Sequence, residues 1–80
     1  MTIQKNKMIE SIRTGIRKQV VELYQLWASN VMTKTEFETA MWDTRRTAEC
    51  IVESMENMTV LDSDEALNLC KFIHALTETY

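Results

Sequence analysis

Cys70 and His74 are the two side chains of this chain best suited to do chemistry together. They stand four residues apart, which on a helix puts them on adjacent faces within reach of each other. A thiol and an imidazole so placed suit a nucleophile with its base, or two ligands of one metal ion. Neither arrangement can be completed. A base needs a third group to orient it, and a structural zinc needs four ligands. The chain has one His and two Cys, and the other cysteine, Cys50, projects from the polar side of a different predicted helix. Two free thiols are the expectation, in a reducing compartment. One Gly cannot build a phosphate-cradling loop. Carboxylates are abundant, but they fall on exposed helix faces, and three short helices enclose little volume for a ligand. The reading is a non-enzymatic protein with no catalytic residue, metal or cofactor.

The residue types that remain suit recognition. Trp42 falls outside the apolar pattern of its helix, among Glu38, Asp43, Arg45, Arg46 and Glu49. Tryptophan and arginine are the preferred ingredients of binding hot spots. Arg46, four residues on, is spaced to stack its guanidinium on the indole. Trp42, Arg45 and Arg46, rimmed by Glu38, Glu49 and Glu53, are therefore the candidate partner-binding residues. Packing under a third helix or a dimer mate is the competing role for Trp42.

Charge is divided unevenly along the chain. Within residues 1–20, Lys5, Lys7, Arg13, Arg17 and Lys18 face Glu10 alone, a net +4; the remainder has four bases against eleven acids, a net −7. The basic start is the alternative anion-binding set, suited to nucleic acid. It is small for a nucleic-acid footprint and lacks interleaved aromatics for base stacking. Pairing with the acidic remainder, within one chain or across a dimer, is the simpler use. The acidic side of the second helix, continued by Asp62, Asp64 and Glu65, is suited to imitate a phosphate track and occupy a basic groove.

These residues must be positioned by helices. The chain of 80 residues has one Gly and no Pro, too few for a sheet protein's turns. At 45% apolar it is rich enough to fold as one domain over residues 1–80. A first helix is predicted over about residues 4–30, its stripe Ile9, Ile12, Ile16, Val20, Leu23 and Trp27 stepping by three and four. Gly15 borders that stripe, which suggests a close helix approach or a kink. Thr33 and Glu36 match a capping box, with Met32 and Phe37 spaced as a hydrophobic staple, so a second helix is predicted over about 34–58. Phe37, Met41, Thr44, Ala48, Ile51, Met55 and Met58 form a heptad seam along it, widened by Ala40 and Val52. Asp62 and Glu65 repeat the start signal for a third helix over about 63–79, with the stripe Ala66, Leu69, Ile73, Leu76 and Tyr80, and Cys70 and Phe72 at its flanks.

Short connections favour antiparallel neighbours. The expected fold is all-α, a three-helix antiparallel, up-down-up bundle. A single core at this length supplies only about 3–5 kcal/mol, so self-association, as a homodimer, is expected. The third helix is shorter than the first two and leaves part of that pair uncovered. No segment reaches the ~20 apolar residues of a membrane span, and the start has no apolar run of a signal peptide. The expected location is cytoplasmic, with no membrane partner. The function expected is that of a small helical inhibitor or adaptor docking on a larger protein or complex. A compact, acidic, motif-free chain also fits the profile of a phage or mobile-element inhibitor of a host nucleic-acid-handling system. A nucleic-acid-binding regulator and a structural dimerisation module or chaperone are the alternatives.

Overall fold

Helix starts and stops decide the architecture. The computed structural model describes residues 2–78. It is all-helical, with α1 (Thr2–Ala28), α2 (Lys34–Asn57) and α3 (Ser63–Glu78), and no strand among the described residues. Thr79 and Tyr80, the predicted ends of the third helix and its stripe, lie outside the described residues.

Both internal helix starts are reciprocal capping boxes. Thr33 N–H donates to Glu36 Oε1 at 2.9 Å, and Glu36 N–H donates to Thr33 Oγ1 at 3.1 Å. Asp62 N–H donates to Glu65 Oε1 at 2.9 Å, and Glu65 N–H donates to Asp62 Oδ1 at 2.8 Å. Each box satisfies two of the donors a helix start leaves unpaired. An apolar residue precedes each cap: Met32 packs with Phe37, and Leu61 with Ala66, in the same clusters. That is a staple at both starts. Leu61 is only 1% exposed, so the second connection contributes a core residue.

The stops are alike as well. α1 ends at Ala28, two residues before the predicted Asn30. Val31 N–H donates to Leu26 O and Asn30 N–H to Trp27 O, with Asn30 at φ 62°. At the end of α2, Val60 N–H donates to Met55 O and Thr59 N–H to Glu56 O, with Thr59 at φ 60°. Both are Schellman caps whose left-handed residue is usually glycine. A chain with one glycine, used elsewhere, makes them from Asn and Thr. Asn adopts this backbone readily, whereas a β-branched Thr is strained there.

The three helices form a bundle whose core has two connected parts. Val20 and Leu23 of α1 pack with Phe37 and Met41 of α2, joined by Trp27, Met32 and Leu76. Ala48 and Val52 of α2 pack with Leu61, Ala66, Leu69 and Ile73, joined from α1 by Met8, Ile9 and Ile12. Ile16 touches both parts. The early part of α1 thus meets the late part of α2, and the late part of α1 meets its start. Trp27 stacks on Phe37, ring centres 4.7 Å apart, closing one end of the core. The predicted stripe of α1, and that of α3 from Ala66 to Leu76, are the core-facing sides.

The heptad seam of α2 is only partly the buried stripe. Phe37, Met41 and Ala48 are buried, but Ile51 is 51% and Met58 66% exposed. Val52, expected merely to widen the seam, is fully buried. A straight helix drifts about 20° per heptad away from a strict seven-residue repeat. Along its last repeats the seam has rotated to the edge of the core: Met55 still packs against it, but Ile51 and Met58 face out, and Val52, one residue on from Ile51, is buried. The reading of Gly15 as a close-approach residue is also corrected. A Cβ built there meets nothing within 4 Å, because that side of α1 faces an open groove rather than a neighbouring backbone.

Candidate interaction surface around Trp42

Phe37, Met41, Ala48 and Val52 fix which way α2 is turned. Helical geometry then carries Trp42, Arg46 and Glu53 to the side away from the core. Trp42 is 49% exposed, and the Arg46 guanidinium carbon sits 5.2 Å from the centre of the ring. The stack predicted from the four-residue spacing is present. It is worth about 0.5–1 kcal/mol at an exposed site and favours the orientation of the indole that faces the guanidinium. Beside the ring, a cleft of about 210 Å³ is lined by Glu38, Met41, Trp42, Arg45 and Thr77. Glu38 is exposed, its carboxylate 4.0 Å from Lys34 Nζ. Trp42 is therefore neither buried core nor an isolated ring: one edge rests on the bundle and the other faces solvent.

Arg45 and Glu49 are drawn elsewhere. Arg45 Nε lies 3.8 Å from Glu49 Oε1, and its Nη1 lies 4.0 Å from Glu78 Oε1 on α3. Glu49 Oε1 is also 3.1 Å from His74 Nε2, and His74 Nδ1 is 3.8 Å from Glu78 Oε1. These four side chains tie α2 to α3 along the edge of the Trp42 cleft. Of the six candidate partner-binding residues, Trp42, Arg46, Glu38 and Glu53 face outward. Arg45 and Glu49 are half-buried and brace the cleft wall. The spacings Arg45–Glu49 and His74–Glu78 were readable as helical pairs. The link between them depends on how α2 meets α3, so no sequence signal gives it.

His74 thus faces two carboxylates. Cys70, half-buried on the same helix, has its thiol pushed above its ordinary value of 9.0, chiefly by burial and then by the charges of Glu49, Glu53 and Glu56. The local field disfavours a thiolate, the reverse of what a nucleophilic cysteine needs. Cys50 is exposed on α2. Among the described residues, no three of His, Cys, Asp and Glu gather in a way that could hold a metal ion.

The basic residues of α1 divide between two uses. Lys5 Nζ is 2.7 Å from Glu65 Oε1, and this hydrogen bond raises the Lys5 pKa above its ordinary value of 10.5. Arg13 and Arg17 place their guanidinium carbons 5.3 and 5.4 Å from the centre of the Phe72 ring on α3. These three bases fasten α1 to α3. Lys7 and Lys18 remain exposed, without an ion-pair partner among the described residues. The five residues of the anion-binding set are therefore not presented as one continuous patch.

No helix among the described residues is long and apolar enough to cross a membrane. Compared with the models of known protein families, with curated proteins and with solved structures, this chain matches none.

Proposed function

We propose that this chain is a non-enzymatic interaction module, an adaptor or inhibitor, that docks on a larger protein through the outer face of α2. The observation that carries the reading is the half-exposed Trp42 held by Arg46 beside a cleft. A large ring kept half out of water, oriented by a guanidinium and backed by a braced wall, has the character of a binding anchor. Glu38 lines the cleft beside it and Glu53 lies about three turns further along the same outer face, so the complementary partner offers a pocket for an indole with basic residues along its edge. The contacts between the early part of α1 and the late part of α2, and of Lys5 near the start of α1 with Glu65 near the start of α3, support an up-down-up arrangement. In that arrangement the Trp42 face is available along its whole length.

The test is capture from source-cell lysate with and without nuclease, comparing the unaltered chain with Trp42→Ala and Arg46→Ala. Helicity and denaturation midpoint are measured for each. A discrete protein partner whose affinity falls by about thirtyfold or more with Trp42→Ala, at unchanged helicity, is the expected result, the size being that of a hot-spot residue. Capture that is indifferent to Trp42, or consists only of nuclease-sensitive nucleic acid, refutes the reading.

A further inference from the structure

α3 covers one side of the α1–α2 pair and leaves the other side open. There the two helices enclose a groove of about 460 Å³, walled by Ile12, Gly15 and Ile16 from α1 and by Thr44, Ala48 and Ile51 from α2. Its floor is apolar and low. Ile51 is half-exposed at its edge, and a Cβ placed on Gly15 meets no neighbouring helix within 4 Å. The groove lies on the side of α2 away from Trp42.

The two rims of this groove differ in charge. Asp43 lines it on the α2 side. Helical geometry places Lys18 on the outer α1 rim, one turn from Gly15. Neither has an ion-pair partner among the described residues. Because the late part of α1 packs against the early part of α2, Lys18 and Asp43 stand at the same end of the groove, on opposite rims.

We propose that this groove is the interface of a homodimer, each copy laying its α1 on the α2 of the other. A matching occupant presents apolar surface, an acid opposite Lys18 and a base opposite Asp43. The groove's own two walls meet that specification. A two-fold axis running along the groove keeps heights unchanged and exchanges the two rims, so Lys18 of each copy meets Asp43 of the second copy, twice per dimer. A two-fold axis lying across the groove would instead set α1 on α1 and reverse heights, so that neither charge would meet its opposite. Closed two-fold contacts are self-complementary in this way. The small side chains of the floor let the helices approach, and the exposed Ile51 gains the burial that the single bundle does not give it.

The experiment is sedimentation of the full chain over a range from micromolar to near-millimolar. Ile51→Asp, Lys18→Asp, Asp43→Lys and the double exchange Lys18→Asp with Asp43→Lys are compared at matched helicity. The unaltered chain is expected to dimerise. Ile51→Asp, which would desolvate a charge at the interface, is expected to weaken the dimer by roughly tenfold or more. Each single charge reversal weakens it by about threefold to tenfold, and the double exchange recovers it. Trp42→Ala leaves the mass unchanged, so failure here and failure of the α2 docking face are separable. A chain that stays monomeric, a dimer indifferent to Ile51→Asp, a double exchange without recovery, or a dimer lost with Trp42→Ala instead would each overturn the proposal.

Discussion

Thr59→Gly should make this protein more stable, although it removes a side chain. Thr59 sits at φ 60° in the Schellman cap that ends α2. For a residue with a Cβ, the left-handed conformation costs roughly 1–2 kcal/mol, and β-branching places Thr at the upper end. Glycine removes that cost but makes the unfolded chain freer, which takes back about 0.4–1 kcal/mol. The one side-chain hydrogen bond lost, Thr59 Oγ1 to Met58 O at 2.6 Å, is exposed, so water replaces it at little cost. The balance is a gain of about 0.5–1 kcal/mol, or about 4 °C in melting temperature for a domain of this size. Urea denaturation followed by circular dichroism reads it as a rise in midpoint at constant slope. Thr59→Val is the control, because it keeps the branched Cβ and discards the hydroxyl; it should not stabilise. If glycine lowers the midpoint, or if glycine and valine shift it alike, strain at this cap is not what Thr59 contributes.

Two further outcomes follow from the connections and caps. Leu61→Ala should cost about 2–5 kcal/mol, as for a fully buried leucine, whereas Leu67→Ala, at a side chain 53% exposed, should cost well under 1 kcal/mol; equal midpoints in urea would remove Leu61 from the core. Backbone and side-chain hydrogen bonds from Thr33 hold Glu36 below its ordinary 4.5, and the Glu65 amide chiefly holds Asp62 below 3.8. Carboxyls depressed by folding stabilise fully above those ordinary values and lose that contribution as pH falls through the depressed ones. The denaturation midpoint should therefore decline on acidification below about pH 4.5, and less steeply in Asp62→Asn with Glu36→Gln; an acid limb of unchanged slope in that variant refutes the assignment.

The surfaces of the bundle are divided by function of packing. Most cations that could have made α1 a nucleic-acid face are spent on holding α3: Lys5 on Glu65, and Arg13 and Arg17 on Phe72. Glu49 of α2 is likewise engaged with Arg45 and with His74 of α3. What stays outward is a tryptophan with its arginine on one side and an apolar groove with a lysine and an aspartate on the other. The two proposals use these two sides separately: a dimer formed through the groove would leave both copies of the Trp42 face outward. Each surface is open to its own substitution.

Local signals in the sequence determined the elements. Thr33 with Glu36, and Asp62 with Glu65, specify helix starts through atoms three residues apart, and the steps of three and four in α1 and α3 specify which face is buried. Such features are set by covalent spacing and are legible without a partner. The Arg46–Trp42 stack belongs to the same class, since both groups ride on one helix. The tertiary structure decided what depends on the relative rotation of two helices. It turned Val52 inward and Ile51 outward, because a straight helix cannot keep a strict heptad on one line. It placed Gly15 over open space, because α3 packs on the opposite side of the α1–α2 pair. It joined His74 to Glu49 and Arg17 to Phe72 across helices, where no spacing rule applies. The left-handed Thr59 was hidden for a different reason: a glycine would have announced the turn, whereas a threonine made to adopt it by the surrounding hydrogen bonds leaves no mark in the residue type.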